Sequence, residues 1–169
     1  KSVPKLYNQL VSGGHVLDFG CGTGRATLAL ANAFPNSEFV GLDVDQISIK
    51  KAKDHAERLD GKNQVRFLCQ SVQNLSENEQ FDLIIACDCV HDLVDPVNVL
   101  RKLKKLLKSD GALFVVEPKV ADRLEDNINS IGALYYGMSV FYCMTQSLSQ
   151  GGPGYGTCMG AGRFKQLAN

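Results

Sequence analysis

Three glycines at alternate positions, directly after a short apolar run, are the strongest chemical signal in this chain of 169 residues. The apolar run is residues 16–19, and it contains one acid, Asp18. Glycine adopts positive φ and lets a ligand come close to the backbone. Residues 26–31, which follow the glycines, are good helix formers. The order of strand, glycine loop and helix predicts a loop that binds a nucleotide-type cofactor.

The charge of Asp18 indicates which cofactor this loop binds. The pyrophosphate of a dinucleotide would be repelled by the acid, whereas S-adenosylmethionine carries a sulfonium and an ammonium and would be attracted. The glycine spacing also differs from the GxGxxG dinucleotide pattern. A second apolar strand, Glu38–Asp43, ends in an acid about 20 residues beyond the loop, where a doubly wound fold places the carboxylate that binds the ribose hydroxyls.

The pattern of apolar residues predicts five strands alternating with helices. We expect helices over 46–59 and 96–108, and strands at Val65–Cys69, Phe81–Cys87 and 112–117. Residues 109–111, Ser-Asp-Gly, predict a turn, and Gly61 a helix stop. The run Phe81–Cys87 is almost entirely apolar, which is typical of a central strand of a parallel sheet. The predicted fold is α/β, a doubly wound, mostly parallel Rossmann-like sheet.

The pattern changes after residue 118. Residues 121–131 are charged and helix-like, 132–148 are rich in Tyr, Phe, Met and Ser, and 151–156 form a glycine-rich loop. We interpret residues 119–156 as an insertion or lid on the substrate side of one domain that spans 1–169. We expect the chain to be a fragment of a longer protein, because two strands usual in this fold are missing. The apolar segment 132–148 then predicts either a homodimer or a mobile segment.

Composition narrows the function classes. Lys plus Arg and Asp plus Glu number 18 each, so the net charge is zero and neither nucleic acid nor an anionic membrane is favoured as a partner. The six cysteines show no CxxC pair and no Cys/His ligand spacing, so we expect no metal site. We find no signal peptide and no apolar run long enough to span a membrane, which predicts a reducing compartment, the cytoplasm.

Taken together, these motifs resemble class I S-adenosylmethionine-dependent methyltransferases. Further motifs resemble, over essentially the whole chain, a mostly uncharacterised group with a winged-helix domain in front of the catalytic domain. The residues that carry this closer resemblance are His91-Asp92, Glu117-Pro118, Tyr135-Tyr136, Phe141-Tyr142-Cys143 and the segment 151–157. The resemblance implies the fold and the cofactor and hardly anything about the substrate, and it is the neutral charge that leads us to expect a small-molecule substrate.

The same resemblance implies a set of cofactor contacts. Asp18 and the loop amides would hold the methionine part, Asp43 the ribose, and Val44 and Val72 the adenine. Ser71 stands where many relatives place an aspartate for the adenine amino group. The full expected set is Asp18, Gly20, Cys21, Gly22, Thr23, Gly24, Asp43, Val44, Ser71, Val72 and Cys87.

Candidate catalytic residues are His91, Asp92 and Glu117. His91 follows a strand's carboxyl end, where ligands bind in doubly wound folds, and is a candidate base or substrate contact. Asp92 could orient its ring or act alone, and Glu117 is the alternative polar group. The structural alternative is that His91 and Asp92 only cap a turn. For the domain, the alternatives to a methyltransferase are a non-catalytic cofactor-binding or regulatory module and, disfavoured by Asp18, an NAD-linked oxidoreductase.

Overall fold

The computed structural model describes residues 3–58 and 64–168. It divides into two compact units, which are described separately. Of the described residues, the first unit comprises 3–58, 64–87 and 102–115, and the second comprises 88–101 and 116–168. Among the described residues, no helix has both the length and the apolar character needed to cross a membrane.

The first unit is built on a five-stranded sheet with strand order β3-β2-β1-β4-β5. β1 pairs in parallel with β2 and β4, and β2 pairs in parallel with β3. The strand order reverses between β1 and β4, as a doubly wound sheet requires. The predicted fold class is therefore confirmed. The strands are β1 His15–Phe19, β2 Glu38–Asp43, β3 Val65–Cys69, β4 Phe81–Cys87 and β5 Leu107–Val116.

Helices precede, connect and follow the strands. The α-helices are α1 Val3–Ser12, α2 Arg25–Ala33, α3 Gln46–Ala56, α4 Pro96–Leu106, α5 Ser130–Met138, α6 Met144–Leu148 and α7 Gly160–Ala168. Short 3₁₀ turns lie at Val72–Asn74, Val90–Asp92 and Leu124–Asn127, and a π-helical turn spans Ser139–Cys143. The helix predicted over 46–59 is too long, because α3 ends at Ala56 with Glu57 as its C-cap, whereas residue 59 and the predicted stop at Gly61 lie outside the described residues.

Apolar clusters pack the part of the first unit that the structure describes. The larger one combines residues of β1, β2 and β4 with one residue each from α1 and α2: Leu10, Val16, Ala31, Phe39, Leu83 and Ile85. A second cluster packs α3 against the cofactor loop and β3: Cys21, Ile49, Ala52 and Phe67. All residues of β4 except Cys87 are buried, which agrees with the central position predicted for this strand.

The predicted turn at 109–111 is wrong. α4 ends at Leu106 and β5 begins at Leu107, so these residues are part of the strand. A Cβ added to Gly111 would lie 2.8 Å from the carbonyl oxygen of Phe81. This glycine therefore allows close approach to β4 and is not needed to reverse the chain.

The single helix predicted over 121–131 is also wrong. Asn127 is buried, and its side chain bonds the amide and carbonyl of Ala121 and the carbonyl of Arg123, which closes a loop with one 3₁₀ turn. Asn129 then caps α5 by accepting from the Gly132 amide. Asparagine side chains compete with helical backbone bonds in this way, and favour caps and turns.

We predict that Gly24→Ala destabilises the chain by about 2–4 kcal/mol. Gly24 has φ +76°, and a Cβ there would lie 2.5 Å from the Phe67 ring, so both the backbone and the packing oppose alanine. Urea unfolding measures the change. Gly22→Ala is the control: its φ is +51°, but nothing lies within 4 Å of the added Cβ, so it should cost about 1 kcal/mol. Equal losses would mean that packing against Phe67 contributes nothing.

Candidate functional site

The glycine loop joins β1 to α2 and turns repeatedly through left-handed backbone. Gly20, Gly22 and Gly24 have φ of +72°, +51° and +76°, so each position needs glycine for its conformation. The amides of Gly20 and Cys21 donate to the carbonyl oxygen of Leu42, at 2.9 and 3.1 Å. These bonds hold the loop against the end of β2.

The three glycines have different surroundings. Gly24 packs on the Phe67 ring, whereas an added Cβ at Gly22 would meet no atom within 4 Å. The backbone at Gly22 therefore borders open space, as a loop that a ligand approaches closely requires.

Asp18 lies beneath this loop, with its side chain buried. Its carboxylate accepts a hydrogen bond from the hydroxyl of Thr27, at 2.5 Å, and another from the Thr27 backbone amide. Thr27 is in the first turn of α2, whose N-cap residue, Gly24, has no side chain to cap the helix. Asp18 therefore caps α2 from the neighbouring strand.

The pKa of Asp18 is raised to about 6. Burial is the main cause, and the charge of Asp43 adds a smaller rise, whereas the hydrogen bonds from Thr27 act in the opposite direction and lower the pKa. A positively charged ligand group nearby would favour the ionised form. The negative charge of Asp18 lies at the positive end of α2 and takes up the Thr27 amide, so this helix end is less favourable for a phosphate.

Asp43 ends β2 beside the same loop. One carboxylate oxygen accepts from the Gly22 amide at 2.8 Å and the other from the Asp45 amide at 2.9 Å. An ionised carboxylate has about four acceptor sites, so two remain for a ligand's hydroxyl groups. Asp43 thus fixes the glycine loop and can still accept from a ribose.

The other predicted cofactor residues lie at the loop or near strand ends of the first unit. Val44 is 74% exposed, whereas Val72 is 3% exposed, so Val44 presents the larger apolar surface. The Ser71 hydroxyl accepts from the Gln73 amide, and Cys87 is half-buried at the end of β4. The Cys21 side chain packs into the core, so it supports the loop from behind. Burial, with the charges of Asp18 and Asp43, raises the pKa of the Cys21 thiol, which therefore stays protonated.

Two supporting residues escape sequence reasoning. Thr27 donates a hydrogen bond from its hydroxyl to Asp18. A threonine within a helix gives no indication in the sequence that it will bind a residue of the preceding strand. His55, near the end of α3, places its Nδ1 3.1 Å from the carbonyl oxygen of Thr23 in the loop. His55 therefore stabilises the conformation of the cofactor loop.

The second unit brings the three candidate catalytic residues together. His91 is 2% exposed, and its Nδ1 makes a short hydrogen bond with Glu117 Oε2. The other oxygen of Glu117 accepts from the Val90 amide at 2.9 Å. On the far side of the ring, His91 Nε2 lies 3.4 Å from Asp92 Oδ1. The ring is therefore oriented chiefly by Glu117.

Two further residues complete this polar cluster, which we define as His91, Asp92, Glu117, Cys143 and Thr157. The Thr157 hydroxyl donates to the Sγ of Cys143 at 2.8 Å, and both residues are buried. The amide of Gly156, in the glycine-rich segment, donates to the carbonyl oxygen of His91. No spacing in the sequence links positions 91, 143 and 157.

Burial alone would lower the pKa of His91, but the hydrogen bond and charge of Glu117, with the charge of Asp92, raise it to about 9. The ring is therefore protonated at neutral pH in this arrangement. An imidazolium donates hydrogen bonds and stabilises negative charge, and it acts as a base only after losing its proton. The base role expected for His91 stays a prediction.

Comparison with known proteins identifies the family. A family model described as a methyltransferase domain matches residues 10–152. The chain belongs to this methyltransferase family. Membership confirms the predicted class, a methyltransferase domain whose cofactor is S-adenosylmethionine.

Three relatives illustrate the methyltransferase likeness. The ubiquinone biosynthesis O-methyltransferase of Coxiella burnetii is 32% identical over 105 residues, 62% of this chain and 43% of the relative. The malonyl-[acyl-carrier protein] O-methyltransferase of Bacillus anthracis is 36% identical over 99 residues, 59% of this chain and 35% of the relative. This chain thus spans less than half the length of these curated relatives.

The third is a solved structure, the plantazolicin methyltransferase BpumL in complex with S-adenosylhomocysteine. It matches with a TM-score of 0.64 at 21% identity, over 96% of this chain and 58% of that one. This likeness supports the Rossmann-like fold. Association with a winged-helix domain is not tested by these comparisons and stays a prediction.

The residues of the methyltransferase domain fit the cofactor. Gly22 leaves open space at the loop, Asp18 and Asp43 supply negative charge for its cationic groups and acceptors for its hydroxyls, and no phosphate has to be accommodated. The end of α2, already capped by Asp18, would be a poor partner for a pyrophosphate.

We predict that Asp18→Asn stabilises the ligand-free domain at pH 8. The pKa of Asp18 is raised from 3.8 to about 6, so the folded chain holds this proton more tightly than the unfolded chain. Stability therefore falls as pH rises from about 4 to 6, by on the order of 2–3 kcal/mol. Asparagine keeps an acceptor for Thr27 and avoids this loss. Denaturant unfolding at pH 4 and pH 8 measures the free energy of unfolding of both chains. The gain in stability from Asp18→Asn should be present at pH 8 and vanish at pH 4.

Asp45→Asn is the matched control, because the bonds from Ser48 lower the pKa of Asp45. Its ionised form stabilises the folded chain above the unfolded pKa, so this variant should lose stability at pH 8 and not at low pH. A loss of stability at pH 8 in Asp18→Asn as well would contradict the pKa argument, and would show that the charged carboxylate is the better cap.

Proposed function

We propose that the protein transfers the methyl group of S-adenosylmethionine to a small-molecule acceptor. The observation that carries this proposal is the internal cap on α2. Asp18 satisfies the end of the helix with a buried negative charge, which disfavours phosphate-bearing cofactors and favours a cationic one.

The cofactor's parts are assigned by this chemistry. Asp18 and the glycine loop attract the methionine ammonium and sulfonium, and Asp43 accepts from the ribose hydroxyls through its two remaining acceptor sites. Val44, with 74% of its surface exposed beside Asp43, offers an apolar face for the adenine. Ser71 has a hydroxyl in place of the carboxylate usual in relatives, so its contact with the adenine amino group is the weaker one.

Methyl transfer makes modest demands on the protein. S-adenosylmethionine supplies an activated methyl group, so the protein's residues must align the acceptor, exclude water and, for some acceptors, remove a proton. No covalent nucleophile is needed. The buried Cys21 thiol, which stays protonated, is consistent with this.

We assign the acceptor-side chemistry to His91, Asp92 and Glu117. An imidazolium held by Glu117 favours an acceptor that carries or develops negative charge, such as an oxygen. The two curated relatives described above are named as O-methyltransferases, which supports an oxygen acceptor.

Asp43→Ala should weaken S-adenosylhomocysteine binding by about 1–3 kcal/mol, because it leaves the ribose hydroxyls and the Gly22 amide without their acceptor. Isothermal titration calorimetry measures the change. Asp45→Ala, which removes a nearby acid that caps α3, should keep the affinity within a few-fold. Equal weakening by both changes, or preferential binding of NAD, would contradict the assignment.

His91→Ala should reduce methyl transfer by about 10²–10⁴-fold and leave cofactor affinity within a few-fold. Transfer of radiolabelled methyl from S-adenosylmethionine to a panel of small hydroxyl, carboxyl and amine acceptors provides the assay. His15→Ala is a control at a histidine assigned no catalytic role. Cofactor binding without transfer to any acceptor would instead support the non-catalytic module.

A further inference from the structure

The polar cluster of the second unit contains a set of metal-ligand atoms that no sequence motif indicates. The side chains of His91, Asp92 and Cys143 each direct one ligand atom to a common region, and these atoms all lie within 4.8 Å of one another. They come from a 3₁₀ turn, Val90–Asp92, and from the end of the π-helical turn, Ser139–Cys143. The sequence, which has no CxxC pair and no Cys/His ligand spacing, predicted no metal site, and residues 91, 92 and 143 match no such spacing.

The distance between two of these atoms suits a shared cation better than a direct bond. His91 Nε2 and Asp92 Oδ1 are 3.4 Å apart. Two ligands at about 2.0–2.1 Å from a tetrahedral zinc ion are separated by roughly 3.3 Å. Among the described residues, Asp92 Oδ1 is a buried oxygen that makes no hydrogen bond of normal geometry, and the groups that face it are His91 Nε2 and the Cys143 thiol. A buried carboxylate oxygen normally accepts a hydrogen bond of good geometry, and a cation held between these three groups would satisfy it.

The surroundings of the three ligands are those of a metal site. A metal-binding histidine usually donates its other ring N–H to a carboxylate, and Glu117 Oε2 occupies that position at Nδ1. Glu117 is itself fixed by the Val90 amide. The Thr157 hydroxyl donates to Cys143 Sγ at 2.8 Å, which would stabilise a thiolate.

We propose that His91 Nε2, Asp92 Oδ1 and Cys143 Sγ bind a zinc ion. One nitrogen, one oxygen and one sulfur ligand match the preference of Zn²⁺, whereas Mg²⁺ and Ca²⁺ prefer oxygen ligands alone. Three protein ligands leave a fourth position open for water or for a ligand oxygen.

The opposite side of the ring is a poorer candidate. There, His91 Nδ1, Asp88 and Glu117 also come together, but Nδ1 is already bonded to Glu117. The Asp88 carboxylate lies 3.9 Å from Nδ1, and its side chain is 72% exposed. The buried side, where Nε2, the Asp92 oxygen and the Cys143 sulfur converge, is therefore the side that binds the ion.

Zn²⁺ at Nε2 would take the place of the proton that the imidazolium carries there, so zinc binding should release protons, and the positive charge that faces an acceptor would then come from the ion. The inference does not depend on methyl transfer, so binding of the metal tests it directly. The full chain, purified with reducing agent and stripped with a chelator, is titrated with ZnCl₂ by calorimetry and with CoCl₂ by absorption spectroscopy. We expect one Zn²⁺ per chain, and with Co²⁺ a thiolate-to-metal charge-transfer band together with the visible bands of tetrahedral cobalt.

Cys143→Ser and Asp92→Asn should each weaken Zn²⁺ binding by at least about 10–100-fold, and Cys143→Ser should remove the charge-transfer band. Glu117→Gln, which leaves all three ligands in place, should weaken binding by about 10-fold through the orientation of His91. Cys158→Ser is the matched control, because this thiol lies in the same unit outside the ligand set, and it should bind as the unchanged chain does.

Circular dichroism of each variant shows whether it is folded. If Cys143→Ser fails to fold, Asp92→Asn and the cobalt spectrum of the unchanged chain still decide the question. Absence of stoichiometric Zn²⁺ binding, a cobalt spectrum without the thiolate band, or a loss of binding in Cys158→Ser that matches Cys143→Ser would each overturn the proposal.

Discussion

The bond between Asp18 and Thr27 is the interaction on which the cofactor site depends. A glycine at position 24 is required by its positive φ and by the Phe67 ring, and it leaves α2 without a side-chain cap. The cap must therefore come from elsewhere, and the carboxylate of Asp18, the last but one residue of β1, supplies it. The tight loop at Gly24 and the buried charge of Asp18 therefore both follow from the packing of Gly24 against the Phe67 ring. Holding that charge in a buried position costs stability, which is a common trade-off at binding sites.

The elements of the first unit were largely predictable, because their signals are local. β2, β3 and β4 have the predicted limits, since each is an apolar run with clear flanking residues. The start of β5 was not predictable in this way. Gly111 occurs in a Ser-Asp-Gly sequence that favours a turn, and only its approach to the backbone of Phe81 explains why the strand continues through it. Contacts between distant strands overrode the local preference.

The second unit was harder to predict for the same reason. His91, Asp92 and Glu117 could be named from their positions after strands, but their arrangement depends on residues far along the chain. Cys143 and Thr157 reach the cluster through a π-helical turn and a glycine-rich loop, which have weak sequence patterns. Asn127 shows the same effect on a smaller scale, because its three side-chain bonds replace a helix that the composition favoured.

The Phe67 ring limits which substitutions two neighbouring glycines can accept during evolution of the family. Its edge fills the volume that side chains at positions 24 and 41 would occupy, since a Cβ at either glycine would come within 2.5 Å of it. The three positions share one space, so an alanine at position 41 becomes tolerable only if the ring is replaced by something smaller. Position 24 keeps its glycine even then, because its backbone is left-handed. Homologous sequences should therefore show covariation between positions 41 and 67, with position 24 held constant.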